Sequence, residues 1–346
     1  MPDNLANFIA AMPKVELHVH LEGSIQPETI LELAQRHHVC LPADTVQGVR
    51  EWFEFVDFPH FVDVYLTISN CMRTADDIEL VARRFLREQA RQNIRYSEVT
   101  YTAFTHYLQH DLEFDVQLAA LNRARTWAEN ELGVSMGIVI DIPRNIPAEH
   151  GSMIADWAIA GMRDGVVAFG LGGPEVGHPP EKFATAFERV AAAGLPSVPH
   201  AGENAGAESV WGALNVLNAA RIGHGVRCLE DPRLVAELRR RQIPLEVCPT
   251  SNVCLGVVPN FAAHPLPQLM EEGLYVTLNS DDPPMFDTAL TREHLKAAKT
   301  FGFDVATIEG LVLNAVRASF LEVDAKRMME SEFAASFQEL RAEYSS

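Results

Sequence analysis

The chain has 346 residues, 47% of them hydrophobic and 22% charged, with a formal net charge of −19. This is an ordinary globular balance, and the chain is long enough to bury a large core without disulfides or a structural metal. An acidic surface repels phosphate backbones and anionic bilayers, so neither a nucleic-acid polymer nor a membrane is an expected partner.

The first twelve residues lack a basic stretch followed by an apolar run, so no signal peptide is expected. Short β-branched or apolar runs then alternate with longer amphipathic stretches. Strands are predicted at Val15–His20, Ile94–Tyr101, Val134–Ile140, Val166–Leu171, Pro196–His200, Arg221–His224, Ile243–Cys248 and Tyr275–Ser280. Helices are predicted at Ala75–Gln92, Val116–Leu132, Pro180–Ala193, Ala207–Asn218 and Pro232–Arg241. Eight strands separated by helices point to an α/β fold, a (β/α)8 TIM barrel, in one domain spanning residues 1–346. An open doubly wound sheet usually shows a Gly-rich turn after its first strand, and none follows here.

The segment from Gly23 to Ala75 is too long for an ordinary βα loop and leaves the rim where barrel enzymes build their sites. Within it, Phe53, Phe55, Phe58 and Phe61 fall inside nine positions. A helical lid over a flat ligand is expected, with Phe55, Phe58 and Phe61 against substrate; a helix simply packed on the barrel is the structural alternative.

Cys40, Cys71, Cys228, Cys248 and Cys254 are odd in number and widely spaced, which fits a reducing, cytoplasmic setting. The expected partner is a small molecule, and nothing in the sequence sets an oligomeric state.

His18-Val19-His20 ends the first strand, and residues i and i+2 of a strand face the same way. Two neutral imidazoles so placed suit zinc or a similar first-row metal. His200 ends the fifth strand, His224 the sixth, and Asp281 follows the eighth, so all five groups gather at one rim. Glu203 lies just past His200, where a partly desolvated carboxyl can donate a proton; a charge favoured by a helix start is the structural alternative. Asp281-Asp282 points two carboxylates in different directions, and Asp-Asp-Pro-Pro also reads as a turn. His37, His38, His106, His110, His150, His264 and His294 sit in helical or loop contexts and are expected to be solvated or capping residues. His60 lies in the proposed lid, and His178 follows the fourth strand, where it could meet substrate. A nucleophilic-serine elbow and the P-C-x-x-C half of a nucleobase-editing deaminase are both missing.

Taken together, Val15-Glu16-Leu17-His18-Val19-His20-Leu21-Glu22-Gly23-Ser24, His200-Ala201-Gly202-Glu203, Ile222-Gly223-His224-Gly225, Leu245-Glu246-Val247-Cys248-Pro249-Thr250-Ser251-Asn252 and Ser280-Asp281-Asp282-Pro283 resemble the adenosine deaminase family of metal-dependent amidohydrolases. The resemblance implies one zinc ion, with iron or nickel as substitutes, held by His18, His20, His200 and Asp281. It implies that Glu203 protonates purine N1, that His224 orients water and takes its proton, that Asp281 also serves catalysis, that Asp282 contacts N7 and that the Gly173 backbone contacts N3. His20 and Glu22 would also touch substrate. Glu22 stands where adenosine deaminases carry an Asp that contacts the ribose 5′-hydroxyl. With the loop Gly170–Gly177, this makes the chain similar to the bacterial branch. The substrate order implied is adenosine, then 6-aminodeoxyfutalosine, then adenine, whose deaminases often carry Asp where this chain has Gly223. A different amidohydrolase reaction and a non-catalytic metal-binding barrel are the rival classes; Glu203 beside His200 argues against the first, and the intact acid and ligands against the second.

Overall fold

Eight runs with their apolar side chains buried pair in parallel, in chain order, into one sheet: β1 (Lys14–His20), β2 (Ile94–Tyr101), β3 (Ser135–Pro143), β4 (Val166–Gly172), β5 (Ser197–Ala201), β6 (Ile222–His224), β7 (Leu245–Val247) and β8 (Val276–Leu278). The computed structural model describes residues 3–344. Helices connect successive strands, which makes a (β/α)8 barrel. The predicted strands all form, and β2 has the predicted bounds. β7 and β8 are shorter at both ends than expected. Pro244 has no N–H to give the ladder, and its carbonyl instead accepts from Ile222 N at 2.9 Å.

Helix Ala75–Arg91 shows why its neighbours run where they do. Thr74 and Asp77 form a reciprocal capping box at its start. The Asp77 carboxylate also takes Arg36 at 2.7 Å and His37 at 2.7 Å, which pins helix Pro27–His37 to it. Among the described residues no helix is long and apolar enough to cross a membrane. Helices Asp3–Ala11 and Val323–Tyr344 pack against each other, with Phe8 and Phe337 6.2 Å apart between ring centres.

Closure of the barrel between β8 and β1 rests on residues just beyond β8. The His18 carbonyl accepts from Asp281 N at 3.1 Å, and the Asp281 carbonyl accepts from His20 N at 2.9 Å. Asn279 Oδ1 accepts from both Leu17 N (2.9 Å) and His18 N (3.1 Å). Glu16 accepts from Ser280 N at 3.1 Å and from its hydroxyl, while Gln89 of helix Ala75–Arg91 donates to the other Glu16 oxygen at 2.9 Å. The β1–β2 register slips by one residue between Glu16 and Val19. Such a bulge re-aims side chains locally, here at His18.

The inserted segment forms three helices, Pro27–His37, Val46–Trp52 and Phe58–Ser69. Phe58, Phe61, Val62 and Tyr65 recur at i, i+3, i+4 and i+7 of the third, so one face of that helix turns to the barrel mouth.

Replacing Asn279 with Ala removes the acceptor of two buried N–H groups. The variant is expected to lose about 2–4 kcal/mol of unfolding free energy, read by urea denaturation; a loss below about 0.5 kcal/mol, the range of an indifferent surface change, would show that the seam does not depend on it.

Candidate active site

The side chains of His18, His20, His200 and Asp281 converge at the C-terminal rim, all buried, with one ligand atom from each within 4.8 Å of every other. His18 Nε2 and His20 Nε2 each lie 3.4 Å from Asp281 Oδ1, and His20 Nε2 lies 3.1 Å from His200 Nε2. His18 Nε2 has no hydrogen-bond partner although it is buried. A buried ring nitrogen without a partner is costly unless something else satisfies it.

The electrostatics point the same way. Burial foremost lowers the His20 ring to about 4, despite the pull of Asp281. Burial, then the crowding of His18, His20 and His224, keeps His200 well below its ordinary range. Burial also works against a charged His18, but the nearby Asp281 charge and the Glu246 contact win and raise it to about 10. The spot in front of His18 Nε2 therefore favours positive charge. Two neutral imidazoles, one ionised carboxylate and a third imidazole whose Nε2 proton a metal would displace fit a divalent cation.

His18 is held from behind. Its Nδ1 lies 2.8 Å from Glu246 Oε2, and Arg221 bridges Glu246 to Glu98 while donating to the Ala318 carbonyl at 2.8 Å. All three charged side chains are fully buried or nearly so. A carboxylate on the far nitrogen fixes which ring nitrogen faces a metal.

Glu203 and Asp282 are each driven well above the carboxylate range, first by burial and then by the Asp281 charge. Burial opposes ionisation of Asp281 as well, yet His18 and the other surrounding histidines hold it well below that range. Neighbouring carboxyl groups with opposite protonation states are the usual mark of divided acid and base roles. Gly23 has no side chain because a Cβ there would fall 1.6 Å from Asp282 Oδ1. The glycine of the His-Leu-Glu-Gly motif thus makes room for Asp282.

The Glu203 backbone is anchored by Glu175. Its carboxylate accepts from the backbone N–H groups of Gly202 (2.9 Å), Glu203 (2.8 Å), Asn204 (2.9 Å) and Ala205 (3.3 Å), and from the Ser209 hydroxyl. One side chain fastens the loop after β4, which carries Gly173, to the loop after β5.

His224 Nε2 lies 3.7 Å from Glu203 Oε1 and 3.8 Å from Asp281 Oδ2. A chain of bonds assigns its hydrogen. Leu266 N–H donates to His264 Nδ1 at 3.0 Å, so neutral His264 carries its hydrogen on Nε2 and donates to Asn252 Oδ1 at 3.0 Å. Asn252 Nδ2 then donates to His224 Nδ1 at 3.4 Å. Burial, foremost, lowers both rings to about 4. Neutral His224 is left with its hydrogen on Nε2, facing the site. This tautomer suits orienting an oxygen rather than taking its proton.

An opening at the barrel mouth leads to this centre. His20, His200, Glu203, His224, Asp281 and Asp282 line its floor; Gly172 and Gly173 line one wall, and Phe58, Phe61, Val62, Tyr65 and Leu66 of the inserted helix form the roof.

Some expected contacts differ. Phe55 does not line this opening; it stands edge-on behind Phe61 and Phe286 at 5.3 and 5.9 Å, because it precedes the helix whose face forms the roof. Glu22 does not face it either. Its Oε1 accepts from Thr102 N at 2.9 Å and lies 3.1 Å from His106 Nε2, while the Tyr65 hydroxyl donates to Oε2 at 3.1 Å. Glu22 reaches the ligand space through Tyr65. His106 is accordingly a buried partner of Glu22 rather than a solvated residue, and His264 and His294 are buried too. His60 caps its own turn, accepting from Val56 N at 3.3 Å, and His178 does not line the opening. The sequence motifs include Glu246, Glu175 and Asn252 without a role for any of them, and Asp141 falls in none. A Glu inside a wholly buried strand was the available signal for the first.

Glu246→Gln keeps the shape beside His18 and removes the charge. Divalent-metal affinity, measured by chelator competition, is expected to fall about 10- to 100-fold; an unchanged affinity would show that Glu246 does not support the ligand.

Residues 13–336 match the family model described as adenosine deaminase. The chain is 42% identical to an aminodeoxyfutalosine deaminase of Streptomyces avermitilis over 332 residues, 95% of this chain and 92% of that protein. It superposes with a TM-score of 0.90 on the crystal structure of an adenine deaminase from Arthrobacter aurescens, at 34% identity, covering 95% of this chain and all of that one. An amidohydrolase from Burkholderia ambifaria, solved with bound zinc, gives a TM-score of 0.92 at 25% identity, covering all of this chain and 96% of that one. With the barrel, the ligand set and the buried acid already in place, these matches establish that the chain belongs to the adenosine deaminase family.

Proposed function

We propose that this protein hydrolytically deaminates 6-aminodeoxyfutalosine, with adenine and adenosine as weaker 6-aminopurine substrates. The sequence alone put adenosine first. The identity of 42% over nearly the whole chain to an aminodeoxyfutalosine deaminase favours the alternative. The observation that carries the chemistry is Glu203: a buried carboxyl, its ionisation disfavoured first by burial and then by Asp281, beside a converging His3Asp set.

His18, His20, His200 and Asp281 would hold one divalent ion, zinc by preference, with iron or nickel able to substitute. When bound, the ion supplies a Lewis acid that makes water a competent nucleophile near neutral pH. The protein's own groups do the rest. Glu203 donates its proton to purine N1, so the ring accepts the electrons displaced when water adds at C6. His224 steers that water through its Nε2–H, and Asp281 Oδ2, 3.8 Å away, is the adjacent proton acceptor. Protonated Asp282, whose Oδ1 has no partner, donates to N7. The Gly173 N–H serves N3. Phe58, Phe61 and Tyr65 cover the ring plane, excluding bulk water. The proton held by Asp281 passes to the amino nitrogen, collapse of the tetrahedral C6 centre expels ammonia, and the C6 hydroxyl proton returns to Glu203, leaving a 6-oxopurine. A cytoplasmic setting suits such a small-molecule enzyme acting as one domain.

Incubating the purified protein with each of the three substrates and following ammonia release ranks them. Highest kcat/KM on 6-aminodeoxyfutalosine is expected; no ammonia from any 6-aminopurine would overturn the deaminase reading. Glu203→Gln should keep its metal yet lose turnover by about 10²- to 10⁴-fold, the usual contribution of a general acid. A wild-type rate in that variant would remove Glu203 from the mechanism.

A further inference from the structure

The reading above uses Glu203 at N1, Asp282 at N7 and Gly173 at N3, and leaves one buried acid in the same opening without a task. Asp141 sits near the end of β3, is 3% exposed and lines the opening. Its Oδ1 is buried with no hydrogen-bond partner. It stands beside the wall that meets N3. A Cβ added to Gly172 would fall 2.8 Å from Asp141 Oδ2 and 3.8 Å from His200 Cε1. The absence of a side chain at Gly172 therefore keeps the carboxyl group against the ligand space.

In a purine, N3 and N9 flank the same carbon, C4. A ring whose N3 edge meets Gly173 thus carries N9, or whatever is attached to it, past the neighbouring wall residue. Among the described residues no Lys or Arg side chain lines the opening, so no ammonium or guanidinium partners Asp141 there. An orphaned buried acceptor is satisfied when a ligand brings the missing donor, and a ligand lacking that donor leaves it unpaired. Burial and the nearby Glu22 charge raise the Asp141 carboxyl to about 7, which marks how little the protein itself does for it.

We propose that Asp141 is a specificity-determining residue that accepts a hydrogen bond from an N–H or O–H group on the N9 side of the bound purine. This rests on the deaminase reading. Two sources supply that chemistry: the N9–H of a free base, or a sugar hydroxyl of a nucleoside.

The test is steady-state kinetics of wild type, Asp141→Asn and Asp141→Ala on four compounds: adenine, adenosine, 6-aminodeoxyfutalosine and 9-methyladenine, which has neither donor. Where 9-methyladenine is not turned over, its competitive Ki is read instead. Both variants are expected to lose about 10- to 100-fold in kcat/KM on the donor-bearing substrates, chiefly through KM, with 9-methyladenine unchanged. A loss confined to adenine identifies N9–H as the source; a loss confined to the nucleosides identifies a hydroxyl. Equal losses on all four compounds, or none, overturn the proposal while leaving the deaminase intact. Wild type inert on the whole panel overturns the deaminase reading and this proposal with it. The near-isosteric Asp141→Asn carries the comparison should Asp141→Ala fail to fold.

Discussion

The barrel closes on the backbone of a residue whose side chain belongs to the ligand set. Asp281 accepts from His20 N and donates to His18 O, so the strand seam and the spacing of three metal-binding side chains are one geometric fact. Its φ of 67° lies in the left-handed region, uncommon for a residue with a side chain. Such strain persists where surrounding structure over-determines it. Here the flanking residues do so: Asn279 holds the backbone of Leu17 and His18, and Glu16 holds Ser280. His224, with φ of 59°, has the same strained backbone at the end of β6.

Around that seam, burial and charge sort chemically similar groups into different states. Asp281 is held low among imidazoles, while burial and Asp281 itself push Glu203 and Asp282 well above the carboxylate range. The Glu98–Arg221–Glu246 chain carries charge through the barrel interior to His18. Buried ion pairs of this kind are weak devices for stability but effective ones for fixing position. Cys248 lies close to His224 and Asp281, yet burial pushes its thiol well above the ordinary range, which disfavours it as a thiolate ligand.

Strand count, the rim position of the ligands and the acid after His200 were legible in the sequence, because each follows from local period or from neighbours along the chain. Helix Pro232–Arg241 was legible to the residue, since Asp231 caps it and Pro232 opens it. Less was legible where distant segments meet. Glu175 lies 28 positions before Glu203, and only folding brings its carboxylate onto that backbone. Glu22 looked like a substrate contact because it follows the His-x-His pair; the turn after β1 instead aims it at Thr102, His106 and Tyr65. Phe55 and Phe58 are three residues apart, but only Phe58 lies on the helix face that covers the opening. The helices between Leu290 and Tyr344 carry no site residue and gave no motif to read.

The central claim is that His18, His20, His200 and Asp281 share a single cation. Anomalous diffraction from crystals of the metal-loaded protein tests it most directly. The account predicts one peak per chain, about 2.0–2.2 Å from a nitrogen of each histidine and from an Asp281 oxygen. A peak elsewhere, or none after loading, would contradict it.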